Sequence, residues 1–210
     1  MDKPEVDSPG DGSSNLRSVL IAAAVVATAA VIIAVILYAG HHRRKPWPGW
    51  VGYTVIPSPN FNSRPPGVVV NCIILHATAQ PLFADTIKRF EDPTTKVSAH
   101  FVVDRDGAVV QMVPLTERAW HAGVSELDGV PGVNDYSIGI EMTNDNDGKD
   151  PYPDAQYKAV AEIIRRCREH YTIPDSRIVS HAKVALPPGR KTDPKGFDFA
   201  KVLKLASEPS

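Results

Sequence analysis

Residues 68–75 read VVVNCIIL and run directly into His76. An apolar, β-branched run of this length predicts a strand buried on both faces, since a strand with one wet face would alternate apolar and polar residues. A histidine at the end of such a strand is delivered to the sheet edge, where side chains enter clefts. Downstream, residues 81–91 predict a helix, and residues 98–103 and 108–113 predict strands joined by a hairpin turn at Asp104-Arg105-Asp106-Gly107. Residues 137–142 predict another strand, with Ile138 and Ile140 on the core side and Glu141 on the other. Residues 153–170 carry Ala155, Ala159, Ile163 and Cys167 at helical spacing with Asp154 in the first turn, which predicts the longest helix. Residues 177–180 predict a last strand ending at His181, and residues 197–205 a terminal helix. The order β-α-β-β-β-α-β-α predicts an α/β fold, a mixed central β-sheet flanked by helices, over residues 67–210.

The N-terminal third reads differently. Residues 19–39 contain no charge, and such a run spans about 30 Å of hydrocarbon as a helix, so residues 19–40 predict a transmembrane anchor. Leu37 and Tyr38 spoil the small-residue pattern of a cleavage site, which favours an uncleaved anchor over a signal peptide. His41, His42, Arg43, Arg44 and Lys45, then Trp47 and Trp50, fit a headgroup boundary. Residues 41–66, basic and then rich in proline, predict an extended linker, and residues 1–18 a disordered tail.

Across 210 residues, 23 Lys+Arg against 24 Asp+Glu leave no global electrostatic footprint for a nucleic-acid partner. Cys72 and Cys167, far apart and in apolar settings, exclude a disulfide-dense scaffold and a thiolate zinc knuckle. Asn144-Asp145-Asn146-Asp147-Gly148 has the look of a calcium loop, but position 154, where a chelating glutamate belongs, is Asp154, so a turn is expected. The other candidate chemistry lies at His76, at His181 and at Asp193, a carboxylate returned 12 residues after His181 by a stiff Pro-Gly loop. Two imidazoles and one carboxylate make a three-ligand zinc set with a fourth position for water, although spacing alone does not bring them together.

Five ordered segments, 75–78 (LHAT), 98–107 (SAHFVVDRDG), 119–123 (AWHAG), 137–141 (SIGIE) and 189–194 (GRKTDP), resemble the type-2 N-acetylmuramoyl-L-alanine amidase family, which also contains peptidoglycan recognition proteins and phage amidases. The resemblance implies that His76, His181 and Asp193 bind Zn2+, that Glu141 is the general base and that Lys191 stabilises a developing oxyanion. It further implies substrate-binding roles for Trp120, His121, Asn134, Arg190 and His100, with Arg190 able to fork onto a stem-peptide carboxylate. The expected substrate is peptidoglycan or a muropeptide; the competing class is a non-catalytic peptidoglycan-binding module, which the complete ligand set disfavours. Ala99 stands where some relatives carry a tyrosine, leaving Glu141 alone as base, and Lys195-Gly196 departs from a glycine found directly after Asp193-Pro194 in many relatives. A polymeric substrate lies outside the membrane, so the expected location is the bacterial cytoplasmic membrane with the catalytic domain facing the periplasm or wall, against the mild opposing bias of Arg43, Arg44 and Lys45.

Overall fold

A computed structural model describes residues 52–208, so the expected tail, the anchor at 19–40 and the first part of the linker lie outside the described residues. In chain order the elements are β1 (Thr54–Val55), β2 (Phe61–Ser63), β3 (Cys72–Ala77), α1 (Phe83–Glu91), β4 (Phe101–Val103), β5 (Val109–Gln111) and β6 (Glu117–Ala119). The short hairpin β7 (Glu126–Leu127) and β8 (Val130–Pro131) follows, then β9 (Ser137–Met142), α2 (Asp154–His170), β10 (Ile178–Ser180), α3 (His181–Val184) and α4 (Phe199–Ser207). One six-stranded sheet runs β1-β5-β4-β9-β3-β10, antiparallel only between β4 and β5, as the mixed-sheet expectation requires. Among the described residues no helix is long and apolar enough to cross a membrane.

β3 starts four residues later than the hydrophobic run suggests. Val69 is 70% exposed, and the Val68 amide donates to the Pro65 carbonyl in a turn. Residue pairing begins at Cys72, opposite Ser137, with the Asn71 amide donating to the Tyr136 carbonyl at 3.0 Å just ahead of it. Strand identity follows from available neighbours as well as from side-chain type. In α2 the apolar stripe is Tyr157, Val160, Ile163, Ile164 and Cys167, which with Val202 and Ala206 of α4 packs against Ile73, Leu75, Ile138, Ile140 and Phe101. Ala155, expected on that stripe, is exposed.

The expected linker is corrected from residue 53 onward. β1 pairs in parallel with β5 and β2 pairs antiparallel with β6, so this proline-rich chain is extended because it is laid along the domain. Asn60 donates to the Asp92 and Phe90 carbonyls at 2.8 and 3.2 Å. Arg64 reaches deepest: its guanidinium donates to the carbonyls of Leu115, Asn134, Asp135 and Ser137 at 2.7–3.2 Å. It also stops 3.1 Å from His100 Nε2. His100 Nδ1 accepts the Gly139 amide at 2.9 Å, so the ring's one proton sits on Nε2 and is donated to the Glu117 carbonyl at 3.1 Å. Burial, reinforced by the Arg64 charge, pushes His100 down to about 3.

Two predictions follow from this packing. Arg64→Met leaves four carbonyls without their donor and should cost about 2–4 kcal/mol in urea unfolding of the full chain at pH 7. His100 has an unfolded pKa of about 6.5 and a depressed folded one, so its stabilisation is complete above pH 6.5 and drains as pH falls towards 3, by up to about 1.4 kcal/mol per pH unit. His100→Asn keeps an acceptor for the Gly139 amide but cannot titrate. It should be less stable at pH 7 and lose stability less steeply between pH 6.5 and 4.5; an unchanged slope would refute the assignment.

Candidate active site

Side chains alternate across the sheet, and the site occupies the face away from α2 and α4. β3 sends Ile73, Leu75 and Ala77 to the helical side, and β9 sends Ile138, Ile140 and Met142 there. The opposite face of these strands therefore presents His76 from β3 and Ser137, Gly139 and Glu141 from β9. The parallel register places His76 beside Glu141 and Ile74 beside Gly139. β10 ends at Ser180, whose Oγ accepts the Lys183 amide at 3.0 Å and starts α3 at His181. The Ala182 amide donates to the Asp193 carbonyl at 3.0 Å, fixing the returning loop to α3.

These elements bring His76, His181 and Asp193 together. One ligand atom from each lies within 4.8 Å of the others, and all three side chains are buried. Asp193 Oδ2 is 3.3 Å from His76 Nδ1 and 3.1 Å from His181 Nδ1. Atoms bound tetrahedrally to one zinc ion sit about 3.3 Å apart, a spacing that these two distances match. The tautomers agree: His181 Nε2 donates to the Ala122 carbonyl at 3.2 Å, which leaves a bare Nδ1 lone pair facing a carboxylate oxygen. Two lone pairs at that distance require a proton or a cation between them. Burial pushes His76 down to about 4 despite Asp193.

Glu141 stands next to this cluster with Oε2 buried and without a hydrogen-bond partner. Burial, then the Asp193 charge, lifts it to about 8, while Lys191 and Arg89 pull the other way. Glu141, His181 and Asp193 border a cleft of about 470 Å3, which also holds Lys191 and Arg89 on its walls. Trp120 lines the same cleft, with its indole N–H donated to Asn62 Oδ1 at 2.7 Å.

The remaining expected binding residues divide. His121 lines the cleft but is buried, with Nδ1 3.0 Å from His76 Nε2 and Nε2 3.0 Å from Ser137 Oγ. Asn134 accepts the His121 and Ala122 amides at 3.2 and 2.8 Å, which holds their loop. Two expectations are corrected. His100 is fully buried with both ring nitrogens engaged by the fold, so it is not a substrate-binding residue. Arg190 lines the cleft, yet Nε donates to Leu186 O and Nη2 to Ala122 O and Val124 O, so it cannot offer a two-pronged fork to a ligand. Arg89, Asn146 and Gly139 escaped the sequence reading. Only Gly139 carried a signal, as the small residue between Ser137 and Glu141 on one strand face. The Asn144–Asp150 loop is a turn as expected: Asp147 caps the Lys149 and Asp150 amides, and Asp150 pairs with Arg105.

A family model described as N-acetylmuramoyl-L-alanine amidase matches residues 65–196. The Escherichia coli K12 1,6-anhydro-N-acetylmuramyl-L-alanine amidase AmpD is 36% identical over 181 residues, covering 76% of this chain and 96% of its own. A crystal structure of an AmpD derivative superposes with a TM-score of 0.67 at 31% identity, over 76% of this chain and 97% of that one. The E. coli amidase AmiD, solved with anhydro-N-acetylmuramic acid-L-Ala-D-gamma-Glu-L-Lys, gives a TM-score of 0.60 at 27% identity, over 68% of this chain and 60% of that one.

These relatives correct the expected location. The periplasm-facing placement rested on a polymeric substrate, but the AmpD relatives are named for a 1,6-anhydro sugar, whose closed anomeric carbon makes it a chain end or a free fragment. On that ground the placement does not stand. With a family model matching residues 65–196 and a 36% identical relative matched over 96% of its own length, the chain belongs to the N-acetylmuramoyl-L-alanine amidase family of enzymes.

Proposed function

We propose that the protein is a zinc-dependent amidase that hydrolyses the bond between N-acetylmuramic acid and L-alanine in muropeptides, 1,6-anhydro forms included. The observation that carries this reading is the convergence of His76, His181 and Asp193 beside the unpaired Glu141 carboxylate. The donor set suits zinc: two nitrogens, one oxygen at 3.1–3.3 Å from each nitrogen, and an outer hydrogen bond on each histidine. When bound, zinc supplies a Lewis acid that polarises the scissile carbonyl and makes water a nucleophile near neutral pH. Glu141 takes the proton of the attacking water and passes it to the leaving nitrogen of L-alanine. A cation held by His76, His181 and Asp193 would favour the charged form of Glu141, so that its carboxylate could serve as the base at neutral pH. Lys191, on the cleft wall with Glu141, stabilises the negative charge that builds on the carbonyl oxygen. Trp120 offers a flat apolar wall to the sugar or stem peptide, held in place by Asn62.

Metal binding and turnover should separate by residue. Chelator treatment should abolish release of L-alanine amino groups from a purified anhydromuramyl peptide, and zinc should restore it. His76→Ala, His181→Ala and Asp193→Ala should lose bound zinc and activity together. Glu141→Gln should keep zinc while kcat falls by about 10²- to 10⁴-fold, because an amide accepts no proton from water. Lys191→Ala should also keep zinc, with kcat lowered by about 10²- to 10³-fold. Zinc content and kcat measured on the same preparations decide the matter: near-wild-type activity in Glu141→Gln removes it as the base, and binding of the peptide without release in the wild type would make the protein a recognition module.

A further inference from the structure

His121 lies where a groove-lining side chain is expected, but its surroundings give it a different job. Its ring covers Gly139 so closely that a Cβ added there would sit 2.5 Å from His121 Cγ and 2.8 Å from Nδ1. The strand has no side chain at that position because an imidazole fills the space. The ring is consequently fixed between two groups on the same sheet face, His76 on β3 and Ser137 on β9. The His121 and Ala122 amides both donate to Asn134, which pins the backbone as well.

The direction of the hydrogen bonds follows from the cluster. His76 Nδ1 faces Asp193 Oδ2, the position where it serves as a ligand, so a neutral His76 carries its proton on Nε2. That proton is donated to His121 Nδ1, and the remaining His121 proton, on Nε2, is donated to Ser137 Oγ. We infer that His121 and Ser137 form an outer-shell chain that fixes the tautomer and ring plane of His76 and so sets the metal affinity of the site. Neither residue touches substrate in this role; both are positioning residues. The inference rests on the proposed zinc reading of His76, His181 and Asp193. The chain is unusual in its chemistry, because a ligand histidine generally donates to a carboxylate, a carbonyl or water. Here the acceptor is a neutral imidazole, which orients His76 without adding negative charge beside the metal.

The test is a zinc titration of the full chain against a chromophoric competing chelator, run on the wild type, His121→Ala, His121→Asn, Ser137→Ala and His76→Ala. Absorption spectra of the cobalt-substituted proteins are recorded alongside. His121→Ala should bind zinc about 10- to 100-fold more weakly and show a shifted cobalt spectrum. His121→Asn, whose Oδ1 can take the place of Nδ1 as acceptor, should recover most of the affinity, an outcome that a general packing defect would not give. Ser137→Ala should weaken binding in the same direction by a smaller factor. Zinc affinity within about twofold of wild type in His121→Ala, with an unchanged cobalt spectrum, overturns the inference. If His121→Ala does not fold, wild-type affinity in Ser137→Ala overturns it instead. A wild type that binds zinc no better than His76→Ala removes the metal reading itself, and the inference with it.

Discussion

The parallel pairing of β3 with β9, in the register that sets His76 beside Glu141, is what the rest of the site depends on. Side chains on a strand have a period of two, so a slip of one residue would send Glu141 into the helical core and bring Ile140 out to the cleft. Burial of Ile73, Leu75, Ile138, Ile140 and Met142 against α2 and α4 opposes that slip, each side chain contributing about 1.5–3 kcal/mol. The apolar side of the two strands thus holds the polar side in place. Gly139 adds a local constraint, since only a residue without a side chain leaves room for the His121 ring.

The polar face has its own electrostatic logic. His76, His100 and His121 are buried, and burial depresses the pKa of each, His121 well below its ordinary value. Arg64, behind His100, makes a second proton on that ring costlier still. What remains is a set of buried imidazoles with lowered pKa values around one carboxylate, Asp193, with the Lys191 cation at the cleft wall. Such a pocket suits a dication better than extra protons, because one donor atom each of His76, His181 and Asp193 lies within 4.8 Å of the others while the lowered His76 and His121 pKa values resist protonation.

Much of this was legible from the chain. Residues 137–142 alternate so cleanly that both the bounds of β9 and the outward side of Glu141 could be read directly, and the hairpin at Gly107 forms with the Asp104 amide donating to Ala108 at 2.8 Å. His76, His181 and Asp193 were legible as candidate ligands, though only the fold could bring them together. Other features had no local signature. Six prolines between 46 and 66 suggested a spacer, and nothing nearby indicates that Arg64 would find four carbonyls from residues 115–137. His100 follows a small residue in a recognisable motif, which says nothing about whether a ring faces solvent or core. Arg190 looked free for a ligand because its carbonyl partners at Ala122 and Val124 lie more than 60 residues away in sequence.

Strands place the two histidines, but a loop must place Asp193, and the departure at Lys195-Gly196 falls beside it. The neighbouring Asn144–Asp150 loop supplies the missing constraint. Asn146 accepts the Lys195 amide on Oδ1 at 2.7 Å and donates from Nδ2 to Thr192 Oγ1 at 3.1 Å, bracketing Lys191 to Lys195 from one side chain. Asn146 holds a φ of 56°, a left-handed conformation that asparagine tolerates better than most residues. Gly148, at φ +81°, leaves room for the Lys195 side chain, which a Cβ would meet at 2.9 Å. From the other side, the Asp193 carbonyl takes the Ala182 amide of α3. The acidic loop that resembles a calcium site therefore spends the Asp147 carboxylate on its own turn, the Asp150 carboxylate on Arg105 and the Asp145 amide, and the Asn146 side chain on this clasp. Its position beside the metal cluster follows from the need to hold a carboxylate that no strand can deliver.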